Sequence, residues 1–102
     1  MFVIPLRPGA ANAHQRFSLQ LGENLIEFEV DFVSYLDAPA WSMNLIRDGS
    51  RLVSGAMLEP GSDVIQIYRT GIGQMVFTGA DVTLENLGID NNLVWVPPVV
   101  EA

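Results

Sequence analysis

The sequence predicts an all-β chain, a small single-domain antiparallel β-sandwich or barrel of about seven to eight short strands. Three observations carry that reading. Apolar and polar residues alternate with a period of two in Arg16–Leu21, Ile26–Phe32 and Trp41–Leu45, as half-buried strands require. The turn dipeptides Gly22-Glu23 and Asp48-Gly49 follow alternating stretches. No segment sustains the 3.6-residue period of an amphipathic helix.

Taken in order, Phe2 to Leu6 reads as a short extended segment that Pro5 confines to an edge. Arg7 to Gln15 is a loop of small and polar residues. Phe17, Leu19 and Leu21 then point one way and Arg16, Ser18 and Gln20 the other, while Ile26, Phe28, Val30 and Phe32 oppose Glu27, Glu29 and Asp31. A type II′ turn at Gly22-Glu23 pairs Leu19 with Ile26, Phe17 with Phe28 and Arg16 with Glu29. A one-residue slip sends four large apolar side chains to the wrong face at roughly 1.5–3 kcal/mol each, so the register is well specified.

Ser34 to Pro39 is a turn. Trp41, Met43 and Leu45 begin the next hairpin, and Asp48-Gly49 suits a type I′ turn because both central residues need positive φ. That turn sets Arg47 opposite Ser50 and Leu45 opposite Leu52. After Pro60-Gly61, Val64 to Tyr68 reads as a strand apolar on both faces, broken by Thr70–Gly73. Met75 to Thr78 is a further strand, Gly79 to Asp81 a turn, Val82 to Leu84 a short extended or helical piece ending near Asn86, and Leu93 to Val96 the last strand, closed by Pro97-Pro98.

At 102 residues the chain is expected to form one domain over 1–102, since smaller pieces bury too little apolar surface to offset chain entropy. Hydrophobic residues make up 49%, which argues against disorder. Only 17% are charged and lysine is absent, a composition that suits a surface largely covered by neighbours. A monomer of this mass exposes about 5,700 Å², and three contacts of about 800 Å² each hide some two fifths of it. Twelve acids against five arginines give a formal charge of −7, which repels a phosphate backbone and disfavours nucleic-acid binding. With no cysteine, disulfides, thiolate catalysis and cysteine-based zinc sites are excluded. The N-terminal apolar run is too short for a signal-peptide core and no stretch approaches a membrane span, so the expectation is a soluble cytoplasmic product.

The residues that carry chemistry elsewhere read as structural here. His14 is the one histidine, in a loop, and a general base there needs an orienting carboxylate and a cleft. Gly71-Ile72-Gly73 lacks the third glycine and the strand-to-helix context of a dinucleotide fingerprint. Asp63, Asp81 and Asp90 are too widely spread for a calcium loop and read as turn residues. The serines have no plausible histidine partner. No catalytic residue, metal ligand or cofactor site is expected, and the chain is read as a non-enzyme.

Trp41, Gly49, Leu52, Val53, Gly55, Leu58, Pro60, Gly61 and Asp63 form the run Trp-x-hydrophobic, turn, Gly-x-x-Leu-Val-x-Gly, Leu-x-Pro-Gly-x-Asp. This run resembles the phage baseplate plug proteins of contractile-tailed, cyanophage-type viruses. Ile4-Pro5-Leu6, Phe17-Ser18-Leu19, Leu21-Gly22, Asn86-Leu87-Gly88 and Leu93–Pro97 extend the likeness over nearly the whole length.

The resemblance implies a structural virion protein, the central plug closing the distal end of the tail tube with hub and spike proteins. Its implied partners are hub, spike and tube proteins and copies of itself. Its implied location is the tail baseplate, and the host cytoplasm during assembly. On this reading the acidic face of Glu27, Glu29 and Asp31 lies on the path of outgoing DNA and repels its phosphates. The terminal segments 1–6 and 93–102 are candidates for subunit contact, with Phe2, Ile4, Leu93 and Trp95 as the residues to test. The alternative is a β-sandwich binding module for carbohydrate or peptide, with Trp41, Trp95, Tyr35 or Tyr68 as a stacking platform.

Overall fold

The computed structural model describes residues 2–33, 40–61, 63–65 and 71–97. Seven strands run through these residues: β1 (Phe2–Val3), β2 (His14–Leu21), β3 (Asn24–Val33), β4 (Ala40–Arg47), β5 (Ser50–Met57), β6 (Gln74–Gly79) and β7 (Asn91–Val96). They form two antiparallel sheets, one ordered β2-β3-β4-β5 and the other β1-β7-β6. The expected all-β architecture is what the chain adopts. The radius of gyration, 13.2 Å, matches the ~13 Å of a compact chain of this length.

The first hairpin has the register its turn dictates. Phe17 pairs with Phe28, Leu19 with Ile26 and Arg16 with Glu29. Gly22 has φ 63° and Glu23 is not among the positive-φ residues, the combination of a type II′ turn. Phe17 and Phe28 stack at 4.9 Å with an interplanar angle of 8°. At the second turn both Asp48 (φ 51°) and Gly49 (φ 77°) are left-handed, as a type I′ turn needs.

Beyond that turn the ladder departs from simple alternation. Arg47 pairs with Ser50 as expected, but Leu45 pairs with Val53 and Met43 with Ala56. Leu52 is therefore displaced from the position opposite Leu45. Two extra residues in β5 are absorbed as bulges. At the second, Gly55 takes φ 73° and donates its N–H to Asn44 Oδ1 at 2.7 Å, so a side chain fills the gap in the ladder.

The inner faces of both sheets share one core. Ile26, Phe28, Trp41, Met43, Leu45 and Val53 come from the larger sheet, and Met75, Phe77 and Leu93 from the smaller, all buried. Trp41 is fully buried, meets Phe32 edge-on at 5.3 Å and donates Nε1–H to Thr83 O at 3.0 Å. Full burial of side chains this large contributes roughly 1.5–3 kcal/mol each.

The connections differ in detail from expectation. β2 begins at His14, after a 3-10 turn over Ala10–Asn12, so the loop is shorter than Arg7–Gln15. Val82–Leu84 is not a regular element but enters a turn-rich connection through Asp90. The strand expected over Val64–Tyr68 lies mostly outside the described residues; Asp63 bridges Val76, and Val64 and Ile65 form a turn. The turn expected at Ser34–Pro39 also lies outside them.

Candidate functional site

The polar outer face of the larger sheet is organised by the β2–β3 register, which sets His14 opposite Asp31, Arg16 opposite Glu29 and Ser18 opposite Glu27. Side chains follow the backbone. His14 Nδ1 lies 2.8 Å from Asp31 Oδ1, and Arg16 Nη2 donates to Glu29 Oε2 at 2.5 Å. Arg16 Nε is 3.8 Å from Glu27 Oε1, Arg51 Nη2 is 3.9 Å from Glu29 Oε1, and Asn44 Nδ2 donates to the same oxygen at 3.3 Å.

Glu27, Glu29 and Asp31 are thus one rail of an ion-pair ladder and not a bare row of carboxylates. The three carboxylates are faced by the guanidiniums of Arg16 and Arg51 and by the His14 ring. Arg16 is 68% exposed, and pairs of that kind contribute at most about 1 kcal/mol each.

His14 has beside it the orienting carboxylate that a general base needs. The cross-strand row runs His14, Asp31, Ser42, so the carboxylate stands between imidazole and hydroxyl. Two strand spacings put His14 and Ser42 about 10 Å apart, too far for the imidazole to take a proton from that hydroxyl directly. Its side chain is 82% exposed, on an open face.

Of the three aspartates expected as turn residues, Asp63 binds backbone amides through its side chain and the other two engage through their backbone. Asp63 Oδ1 accepts the N–H groups of Ile65 at 3.2 Å and Met75 at 3.0 Å. Asp81 and Asp90 are exposed and use their backbone carbonyls, to Asn86 Nδ2 and Ala80 N–H. Among the described residues no group of three or more His, Cys, Asp or Glu is placed to hold a metal ion. Gly71 and Gly73 have φ 78° and 114° and flank the buried Ile72 on the way into β6.

The four candidate contact residues divide sharply. Ile4 and Leu93 are 2% and 0% exposed, and Ile4 donates its N–H to Leu93 O at 2.8 Å, so both side chains serve this chain's own core. Phe2 is 46% exposed. Trp95, which pairs with Phe2, is partly buried, donates Nε1–H to Ile72 O at 2.9 Å and lays its ring against Gly22 of the β2–β3 turn. The aromatic platform of the alternative reading is not available at Trp41, which is fully buried. Tyr35 and Tyr68 lie outside the described residues.

Sequence reasoning missed the asparagines. Asn86 Oδ1 accepts the Thr83 N–H at 2.6 Å and its Nδ2 donates to Asp81 O at 2.9 Å. Asn91, 1% exposed, accepts the Gly88 N–H at 2.8 Å and donates to Ala80 O and Asn86 Oδ1, both at 3.3 Å. Gly88 (φ 77°) has Leu6 O only 2.6 Å from where a Cβ would stand. Together these residues clamp the connection from β6 to β7 onto the N-terminal segment. The Asn86-Leu87-Gly88 tripeptide was the available signal.

No curated protein sequence matches this one. The family model described as "Cyanophage baseplate Pam3 plug gp18" matches residues 1–98, a span that takes in both sheets, the ladder and the asparagine clamp. The chain is a member of that cyanophage baseplate plug family.

Proposed function

We propose that the protein is a structural subunit of a contractile phage tail, seated with hub and spike proteins in the baseplate so as to close the distal end of the tail tube. The single observation that carries the reading is the family match over residues 1–98. The geometry supports it, because the hydrogen-bonded side chains among the described residues hold turns, bulges and sheets in shape. Its activity is occupancy: subunits seal the tip until contraction and spike departure alter their contacts and open the channel.

The subunit contact includes Phe2 and the exposed part of Trp95. β1, β6 and β7 carry no charged side chain, whereas the larger sheet carries the ion-pair ladder. Charge depletion marks the centre of protein interfaces. The ladder face then lies toward solvent or the channel, where its near-balanced charge neither captures nor strongly repels DNA.

The test is particle composition. Mass spectrometry of purified phage should find the chain, and a density map should place it at the tube tip. Particles that lack it, or contain it only in the capsid, sink the reading. A phage with the gene deleted should fail to form closed, infective tails.

A further inference from the structure

We propose that the free edge of β2 is a strand-addition site that accepts an extended segment of another baseplate polypeptide, one alternating apolar with acidic residues. This deepens the assembly reading and rests on it for the origin of the segment.

Among the described residues the two sheets have four edges, and three are blunted in ways that stop another strand from adding. β1 is two residues long. β5 carries two register shifts and the left-handed Gly55. β6 is occupied by its own chain: Asp63 bridges Val76, Val64 N–H donates to Met75 O and Gly61 N–H to Phe77 O. β2 is different, eight residues without a bulge, proline or lysine.

The register shows which groups β2 leaves open. In a two-residue hairpin the pair beside the turn exchanges both hydrogen bonds, and so does every second pair beyond it. Counted from Leu21 and Asn24, the backbone groups of Phe17, Leu19 and Leu21 face β3, and those of Arg16, Ser18 and Gln20 face outward. The Phe32 N–H bond to Ala13 O at 2.8 Å continues the same phase. Among the described residues, none of the outward N–H and C=O groups of Arg16, Ser18 and Gln20 has a hydrogen-bond partner.

A groove runs along this edge, lined by Pro5, Arg7, His14, Arg16, Phe17 and Leu19 among others, and no carboxylate lines it. That is notable in a chain with twelve acids and five arginines. Phe17 and Leu19 are only partly buried and offer apolar contact on the inner side. Arg7, whose guanidinium has no partner among the described residues, offers positive charge at the rim, and Arg16, already paired with Glu29 and Glu27, lines the same groove from β2. An incoming strand alternates its side chains in the same way, so its apolar residues meet Phe17 and Leu19 and its acidic ones meet the arginines. A second copy adding through its own β2 brings Arg16 and no carboxylate toward the same cations and fits less well.

The test uses a short capped peptide alternating valine and glutamate, titrated into the isotope-labelled chain. Saturable amide shifts at Arg16, Ser18 and Gln20 are expected. Ser18→Pro removes an outward N–H and leaves the β3 ladder intact, so it should fold and bind about tenfold more weakly. Arg7→Glu, or a peptide with lysine in place of glutamate, should weaken binding at least as much. No saturation, equal binding by a peptide N-methylated along one edge, or full binding by Ser18→Pro overturns the proposal. If Ser18→Pro proves unfolded by circular dichroism, Arg7→Glu and the N-methylated peptide decide alone.

Hydrogen exchange in purified particles separates this inference from the plug reading. Slowed exchange at the outward amides upon assembly supports it. Unchanged exchange in particles that contain the chain overturns the edge assignment while the plug reading stands. Absence of the chain from particles overturns the plug reading, and the peptide titration still decides the edge.

Discussion

Gly88 and Gly49 form a matched pair for testing how the loop after β6 is held. Both have φ 77°, but a Cβ at Gly49 meets nothing within 4 Å, whereas one at Gly88 stands 2.6 Å from Leu6 O and 3.3 Å from Leu6 C. Alanine at either position pays the left-handed penalty, about 1–2 kcal/mol, offset by about 0.4–1 kcal/mol from the stiffer unfolded chain. Gly49→Ala should therefore lose roughly 0.5–1 kcal/mol. At Gly88 the obstacle is backbone, fixed by the Ile4 bond to Leu93 O and by burial of Leu6. It yields only by moving the N-terminal segment, an overpacking cost of about 1–3 kcal/mol. The two variants should thus differ by about 1–3 kcal/mol, and at this size each kcal/mol lowers Tm by about 4–8 °C. Reversible thermal unfolding followed by circular dichroism reads the difference directly. If both variants melt within about 2 °C of each other, the close approach of Leu6 to Gly88 is not a constraint and the clamp argument fails.

Asn91→Ala removes an acceptor for Gly88 N–H and a donor to Ala80 O in a buried setting, and should cost about 2–4 kcal/mol; a urea-unfolding loss below about 1 kcal/mol contradicts that. Asn44→Ala leaves the Gly55 N–H without its acceptor, so amide exchange at Gly55 should accelerate by about tenfold while the fold persists. Arg16→Ala, at a 68% exposed ladder position, should change stability by less than about 1 kcal/mol, and a larger loss in denaturant shows the ladder to be structural. Phe2→Asp should leave Tm within the usual surface range, about 0.5 kcal/mol, yet reduce recovery of the chain in phage particles; undiminished recovery removes Phe2 from the contact.

The hairpins were legible because two-residue turns fix register, and both Gly22-Glu23 and Asp48-Gly49 carry the residue chemistry their φ values require. The bulges in β5 were not. Leu52 and Val53 are both apolar, so alternation alone cannot say which faces the core; the first register shift, which sets Val53 opposite Leu45, decides it, and Asn44 accepts the Gly55 N–H at the second. Half of the ladder could be read from the first hairpin, which places Arg16 opposite Glu29. The other half arrives through Arg51 and Asn44, and it depends on the β3–β4 pairing that sets Asn44 opposite Glu29, a register that no two-residue turn fixes. Ile4 and Leu93 read as terminal residues open to partners because the sequence does not show that the two ends of the chain pair with each other; the Ile4 bond to Leu93 O does. Asn86 and Asn91 look in sequence like ordinary loop residues, and their connectivity is entirely tertiary.

The residues that carry the family likeness explain why no chemical motif accompanies it. Trp41 fills the core and bonds Thr83 O, and Gly49 turns a hairpin. Val53 and Gly55 set the bulges, Leu58 is buried, and Asp63 fastens two backbone N–H groups beside β6. Leu87 is fully buried and Gly88 seats the N-terminal segment. These residues either fill the core, as Trp41, Leu58 and Leu87 do, or fix backbone geometry, above all at β5 and β6. A signature built from edge-closing and corner-forming residues specifies the shape of a part. For a member of a baseplate plug family, that shape is where selection can act.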